Sequence, residues 1–94
     1  MDAKTIVAKG DRHVETLAGS EIILMQVQDG KFFSLTGTAR RVWEILDEPL
    51  SIEALAGRLT PEFAIEPREC VRDLLALCRD LKAQKLIDVS TTPA

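Results

Sequence analysis

A short apolar hairpin joined directly to helical sequence is the feature that most constrains the fold. Two apolar runs, Glu21–Gln28 and Lys31–Leu35, flank the pair Asp29 and Gly30. An Asp-Gly pair between such runs favours a two-residue type I′ turn. With His13–Leu17 as a preceding strand, the pattern predicts a three-stranded antiparallel β-meander.

The predicted turn also fixes the pairing and the two faces of the hairpin. The predicted pairs are Gln28 with Lys31, Val27 with Phe32, Met25 with Ser34, and Leu24 with Leu35. One face carries Ile22, Leu24, Phe33 and Leu35, and the other carries Ile23, Met25, Val27 and Phe32. A hairpin with one solvated face alternates apolar and polar residues. This hairpin therefore has both faces covered by the fold, or it presents one face to a partner.

From Thr36 onward the apolar spacing becomes helical. The first predicted helix is capped by Thr36 or Thr38 and ends near Asp47. The second is capped by Ser51 and ends before Pro61. The third begins at Pro67 and ends at about Ala83. Phe63 and Ile65 are interpreted as core residues in the connection. The chain is thus predicted to be α+β, with a three-stranded antiparallel β-meander followed by three α-helices.

One domain is expected from the length of 94 residues. Residues 1–12 are expected to be a flexible N-terminal segment, within which Thr5–Ala8 can form a short strand. Residues 13–89 are the expected domain, with an extended finish at Leu86–Val89, and residues 90–94 are an expected tail.

The third helix carries a wider apolar band than one core stripe of about 100° needs. One row is Val71, Leu75 and Cys78, and a second row is Cys70, Leu74, Leu77 and Leu81. Two interpretations follow: the helix is central and buried on two sides, or part of the band lines a groove.

Composition and spacing argue against several functions. The net charge is −3 with acids and bases interleaved, which disfavours nucleic acid as a partner, and no apolar run approaches membrane-spanning length. Cys70 and Cys78 are too far apart on one helix for a disulfide, which indicates reduced thiols and a cytoplasmic protein. His13 is the only histidine, so neither a metal site, a cofactor site nor a catalytic constellation is predicted. We expect no enzyme activity.

Binding functions remain. In one, the three helices form a winged-helix DNA-binding transcriptional regulator whose third helix directs Arg68, Arg72 and Arg79 to the nucleic acid. In another, the outer edge of Lys31–Leu35 accepts a peptide as an added strand beside the third helix. A third is a small dimerisation module, and a homodimer is left open.

Three motifs in order carry a resemblance to a known family. They are Gly30-Lys-Phe-Phe-Ser-Leu35, then Gly37-x-Ala39-x-x-Val-Trp43-x-x-Leu46, then Ile52-x-x-Leu55-Ala56-x-x-Leu59, and Val71-x-x-x-Leu75 with Leu81, Leu86 and Ile87 closes the pattern. Over roughly Val14 to Val89 the chain resembles PqqD-like proteins, the peptide chaperones or precursor-peptide recognition elements of ribosomal peptide modification pathways. The resemblance implies a winged-helix-like fold of three strands followed by three helices.

The resemblance implies that the chain binds the leader of a precursor peptide as an antiparallel strand and presents it to a modifying enzyme, such as a radical SAM enzyme, a leader protease or a cyclase. The implied peptide-binding residues are Lys31, Phe32, Phe33, Ser34 and Leu35 on the strand, and Cys70, Asp73, Leu74, Leu77 and Leu81 on the helix. Members that serve pyrroloquinoline quinone synthesis usually have a Pro-Glu pair where this chain has Gln28, Asp29 and Gly30. The difference favours a lasso-type or related pathway.

Overall fold

The computed structural model describes residues 1–90, which form six strands and three helices. The strands are β1 (Ile6–Lys9), β2 (His13–Ala18), β3 (Glu21–Gln26), β4 (Phe32–Leu35), β5 (Leu50–Ser51) and β6 (Ile87–Ser90). The helices are α1 (Gly37–Ile45), α2 (Ile52–Phe63) and α3 (Pro67–Ala83). The α+β class and the meander followed by three helices are confirmed.

The meander β2-β3-β4 is antiparallel, with β2 and β4 at its two edges. Its hairpin register differs from the predicted one by two residues, because Met25 pairs with Phe32 and Ile23 pairs with Ser34. A shift of two residues keeps every side chain on its predicted face, since strands have a period of two. Ile22 and Leu24 are accordingly buried, and Phe32 is exposed.

A longer loop than the predicted two-residue turn causes this shift. The Gln26 N–H donates to the Lys31 carbonyl at 2.8 Å, and the Gly30 N–H donates to the Gln26 carbonyl at 2.8 Å. Four residues, 27–30, therefore connect the strands. A type I′ turn needs positive φ at both central residues, whereas here Gly30 alone has it, at +67°. In this loop Asp29 does not adopt the left-handed conformation, which is unfavourable for residues other than glycine.

A second small sheet, in the order β5-β1-β6, corrects the expectation of a flexible segment over residues 1–12. β1 is its central strand, paired with β6 from Ile6 to Lys9. Val7 is 0% exposed, so burial of this side chain and pairing on both edges hold the segment in the fold. The extended finish near Leu86–Val89 is confirmed as β6, whereas residues 91–94 of the expected tail lie outside the described residues.

The helices follow the predicted order, with two differences. Ser51 caps α2 by accepting the Ala54 N–H at 3.1 Å, and Pro67 opens α3. However, α2 continues through Pro61 to Phe63. A proline removes only one helical hydrogen bond, and the Arg41–Glu62 ion pair at 2.9 Å ties this last turn to α1. Phe63 is 38% exposed rather than a core residue.

Trp43 joins α1 to both sheets. Its indole Nε1–H donates to Glu15 Oε1 at 2.6 Å, the His13 ring packs edge-on at 5.1 Å between centroids, and Lys9 Nζ lies 5.2 Å from the ring centroid. These contacts fix β2 and β1 against α1, while β4 is an edge strand of the meander. The buried core comprises Val7, Ile22, Leu24, Leu35, Val42, Trp43, Ile45, Leu46, Ile52, Leu55, Ala56, Leu59, Cys70, Leu74, Cys78, Leu81, Leu86 and Ile87.

Candidate functional site

The outer edge of β4 presents backbone groups that the sheet does not use. In an antiparallel ladder, pairs that exchange hydrogen bonds alternate with pairs that do not. The Gln26–Lys31 hydrogen bond sets the phase, so Phe33 and Leu35 direct their backbone groups to β3. The N–H and C=O groups of Phe32 and Ser34 therefore point to the open edge. An unpaired edge of this kind can accept another strand.

The side chains of β4 alternate between two faces. Phe33 and Leu35 lie on the inner face, where Leu35 is buried and Phe33 packs against the core while half-buried. Phe32 and Ser34 lie on the outer face, and Phe32 is 69% exposed. Lys31 is exposed where the loop enters the strand. The strand thus offers backbone pairing together with an apolar inner side.

An apolar cavity of about 250 Å³ lies between the helices, close to the C-terminal end of β4. Only Thr36 separates β4 from α1, and the first turn of α1 forms part of the cavity wall. The complete lining is Thr38, Ala39, Leu59, Ile65, Cys70, Asp73, Leu74 and Leu77. Because this lining is mainly apolar, the cavity suits one or two apolar side chains, with a single carboxylate among its walls.

The two thiols of α3 are protected from ionisation. Burial raises the pKa of Cys70, and the nearby Asp73 charge raises it further. Burial alone raises the pKa of Cys78 to about 11. A thiol is a nucleophile only as its thiolate, so both cysteines act as apolar side chains, and Cys70 contributes apolar surface to the cavity.

The structure brings four of the five helix residues from the sequence analysis together in this cavity: Cys70, Asp73, Leu74 and Leu77. Leu81 does not line it and lies in the core. The five strand residues form β4 and the residue before it, at the open edge rather than in the cavity wall. Whether these residues contact a peptide stays a prediction.

Four cavity residues were missed as site residues: Thr38, Ala39, Leu59 and Ile65. In the sequence, Ala39 and Leu59 stand out only as members of the helical motifs that carry the family resemblance. A small residue in the first turn of α1, opposite large apolar residues of α2 and α3, leaves a space, but a helical pattern alone does not reveal this.

Three further features of the described residues concern possible functions. Within residues 1–90, no helix is long and apolar enough to span a bilayer. Over the same range, no group of three or more His, Cys, Asp or Glu side chains is arranged to hold a metal ion. A larger depression of about 550 Å³ is lined by residues such as Lys82, Lys85 and Asp88, and it shares none of its lining with the apolar cavity.

Comparison with known proteins gives one family and two solved structures. The family described as coenzyme PQQ synthesis protein D (PqqD) matches residues 21–87, more than half of the chain. TbiB1 in complex with the TbiA(beta) leader peptide is similar at 25% identity and a TM-score of 0.80, covering 86% of this chain and 94% of that one. Lasso peptide synthetase B1 complexed with the leader peptide has the same fold at 22% identity and a TM-score of 0.78, covering 87% and 96%. The search of curated proteins found no match.

Proposed function

This chain belongs to the PqqD family, and from that premise we propose that it binds the leader of a ribosomally synthesised precursor peptide and presents it to a modifying enzyme. The observation that carries the proposal is the fold that the chain shares with TbiB1, a protein solved in complex with a leader peptide. The unused backbone groups of β4 lie on an open sheet edge, which is what binding by strand addition requires.

The leader would add to β4 as an antiparallel strand. The N–H and C=O groups of Phe32 and Ser34 would supply the hydrogen bonds, while inner side chains of the leader would pack against Phe33 and Leu35. Each added backbone hydrogen bond contributes about 0.5–1.5 kcal/mol net, so two residues that each exchange two bonds give a modest affinity by themselves.

The apolar cavity would supply the rest of the affinity. Burying one Leu-sized side chain contributes about 1.5–3 kcal/mol. Leu74 and Leu77 would form its α3 wall, and the Asp73 carboxylate would favour a basic or hydroxyl group of the peptide at that point. Cys70 would pack as an apolar side chain, and Leu81 would support the wall from the core without touching the peptide.

The chain would bind and present the peptide without chemistry of its own, and a partner enzyme would modify it. We propose a lasso-type or related pathway, because both similar solved structures are leader-peptide complexes and one of them is a lasso peptide synthetase B1. A radical SAM enzyme, a leader protease and a cyclase remain the candidate partners. The two buried free thiols fit a reducing compartment such as the cytoplasm. The comparisons give no support to the DNA-binding alternative.

A titration tests the proposal. The genes beside this one are first searched for a short reading frame that encodes a precursor peptide. The leader half of that peptide, synthesised with a fluorescein label, is the probe, and the readout is fluorescence anisotropy. We expect saturable binding that changes little between low and moderate salt, because apolar burial and backbone pairing dominate it. A duplex DNA probe should not bind. Absence of leader binding by the folded protein, or DNA binding that weakens steeply with salt, would contradict the proposal.

A further inference from the structure

The outer face of β4 carries two different surfaces side by side. Phe32 is 69% exposed and lies next to Met25 of β3, which in turn pairs with Val14 of β2. The three side chains form an apolar row across the sheet that ends at the open edge. A strand added to β4 would extend this row by one residue.

The neighbouring position on the same face is polar and negatively charged. The Ser34 Oγ–H donates to Glu21 Oε2 at 3.1 Å. Glu21 belongs to β3, and this hydrogen bond holds its carboxylate towards β4 and the open edge. A residue added opposite Ser34 would therefore meet a hydroxyl group and a carboxylate.

Because hydrogen-bonded and non-hydrogen-bonded pairs alternate along β4, an incoming strand would pair directly with Phe32 and Ser34, the two residues of the outer face. Phe32 and Ser34 direct their backbone groups to the open edge, so an antiparallel peptide would exchange hydrogen bonds with both. In such pairs the facing Cα atoms are about 5.5 Å apart, and the side chains contact each other on the same face.

From this geometry we propose that Glu21 and Phe32 determine sequence specificity for alternate residues of the bound peptide; the inference rests on the proposed function. The peptide residue opposite Ser34 is basic, and the residue opposite Phe32 is aromatic or β-branched. In antiparallel pairing the peptide residue opposite Ser34 precedes the residue opposite Phe32. From its N-terminal side the peptide therefore has a basic residue, then one residue that faces the inner side, then an aromatic or β-branched residue. Opposite charges and aromatic pairs across strands are favourable in this arrangement.

A displayed library of short random peptides tests this, with the wild-type protein, Glu21→Lys and Asp80→Lys as baits. Asp80→Lys is the matched control because it makes the same change of net charge at an exposed position of α3. Circular dichroism checks that all three proteins are folded. Selected peptides are then resynthesised in Lys and Glu versions at the position opposite Ser34 and titrated individually.

For the wild-type protein and for Asp80→Lys we expect the Lys version to bind about two- to fivefold more tightly than the Glu version. For Glu21→Lys the preference should reverse, while the apolar inner position of the consensus stays unchanged. If Glu21→Lys kept the wild-type preference for the Lys version of the peptide, the inference would be overturned and the proposed function would still stand. A reversed preference for Asp80→Lys would have the same consequence. If folded wild-type protein enriched no consensus, the proposed function itself would fail, and this inference with it.

Discussion

We expect Ser34→Pro to weaken leader binding more than it lowers the free energy of unfolding. The Ser34 N–H points to the open edge of β4, so Ser34→Pro removes a donor that the fold does not use. Proline is tolerated on an edge strand when its missing N–H faces outward. Folding should lose only the exposed hydrogen bond to Glu21, a cost below about 1 kcal/mol.

The expected loss of leader affinity is larger. One backbone hydrogen bond contributes about 0.5–1.5 kcal/mol, which is about two- to twelvefold in affinity, and the pyrrolidine ring also obstructs the edge. Ser34→Ala is the matched control, because it removes the same hydroxyl group and keeps the N–H. Anisotropy titration of the labelled leader gives the affinities, and urea unfolding gives the stabilities.

Phe33→Pro provides the opposite case. The Phe33 backbone groups pair with Leu24 inside the sheet, so this variant leaves a buried partner unpaired and removes a half-buried phenyl ring. We expect a loss of at least about 3 kcal/mol in the free energy of unfolding. If Ser34→Pro were folded and bound the leader as tightly as Ser34→Ala, strand addition at β4 would be wrong.

Three further predictions address the cavity, the thiols and acid stability. Ala39→Met should fill the cavity, weakening leader binding about tenfold or more by anisotropy while leaving the free energy of unfolding equal or higher; wild-type affinity would contradict the cavity's role. The Cys78 thiol, with its pKa raised to about 11, should react slowly with iodoacetamide at neutral pH until urea unfolds the chain, and rapid native labelling would refute its burial. Partial burial alone would raise the pKa of Glu15, but hydrogen bonds from Trp43 and His13 and the Lys9 charge lower it below 4.5 overall. The stabilisation that the Glu15 carboxylate contributes is therefore complete above its ordinary pKa and is lost as the pH falls through its lower pKa in the folded protein. Urea unfolding midpoints should consequently fall less on acidification in Glu15→Gln than in wild type.

The elements that local pattern determines could be predicted from the sequence. The period of two along a strand determined the two faces of the β3–β4 hairpin, and the Ser51 cap and Pro67 located the starts of α2 and α3. The spacing of apolar residues on α3 indicated a helix with more than one buried side, and three residues of that band, Cys70, Leu74 and Leu77, do line the cavity.

The errors have physical causes that local pattern does not contain. The Asp-Gly pair allows a two-residue turn, but a four-residue loop with positive φ at Gly30 alone is also compatible with it. β1 is short, and it pairs with β6 residues about 80 positions away in the sequence. The local spacing of apolar residues therefore does not predict this strand. The cavity depends on Ala39 being small where α1, α2 and α3 meet, which only the packed structure reveals.

The most direct test of strand addition at β4 is residue-resolved amide hydrogen exchange by NMR, with and without bound leader. The account predicts that the leader slows exchange at the Phe32 and Ser34 amides, which face the open edge of β4. The Glu15 and Leu17 amides, which face the opposite edge of the sheet at β2, should be unchanged. Protection at Glu15 and Leu17 with none at Phe32 and Ser34 would contradict the account.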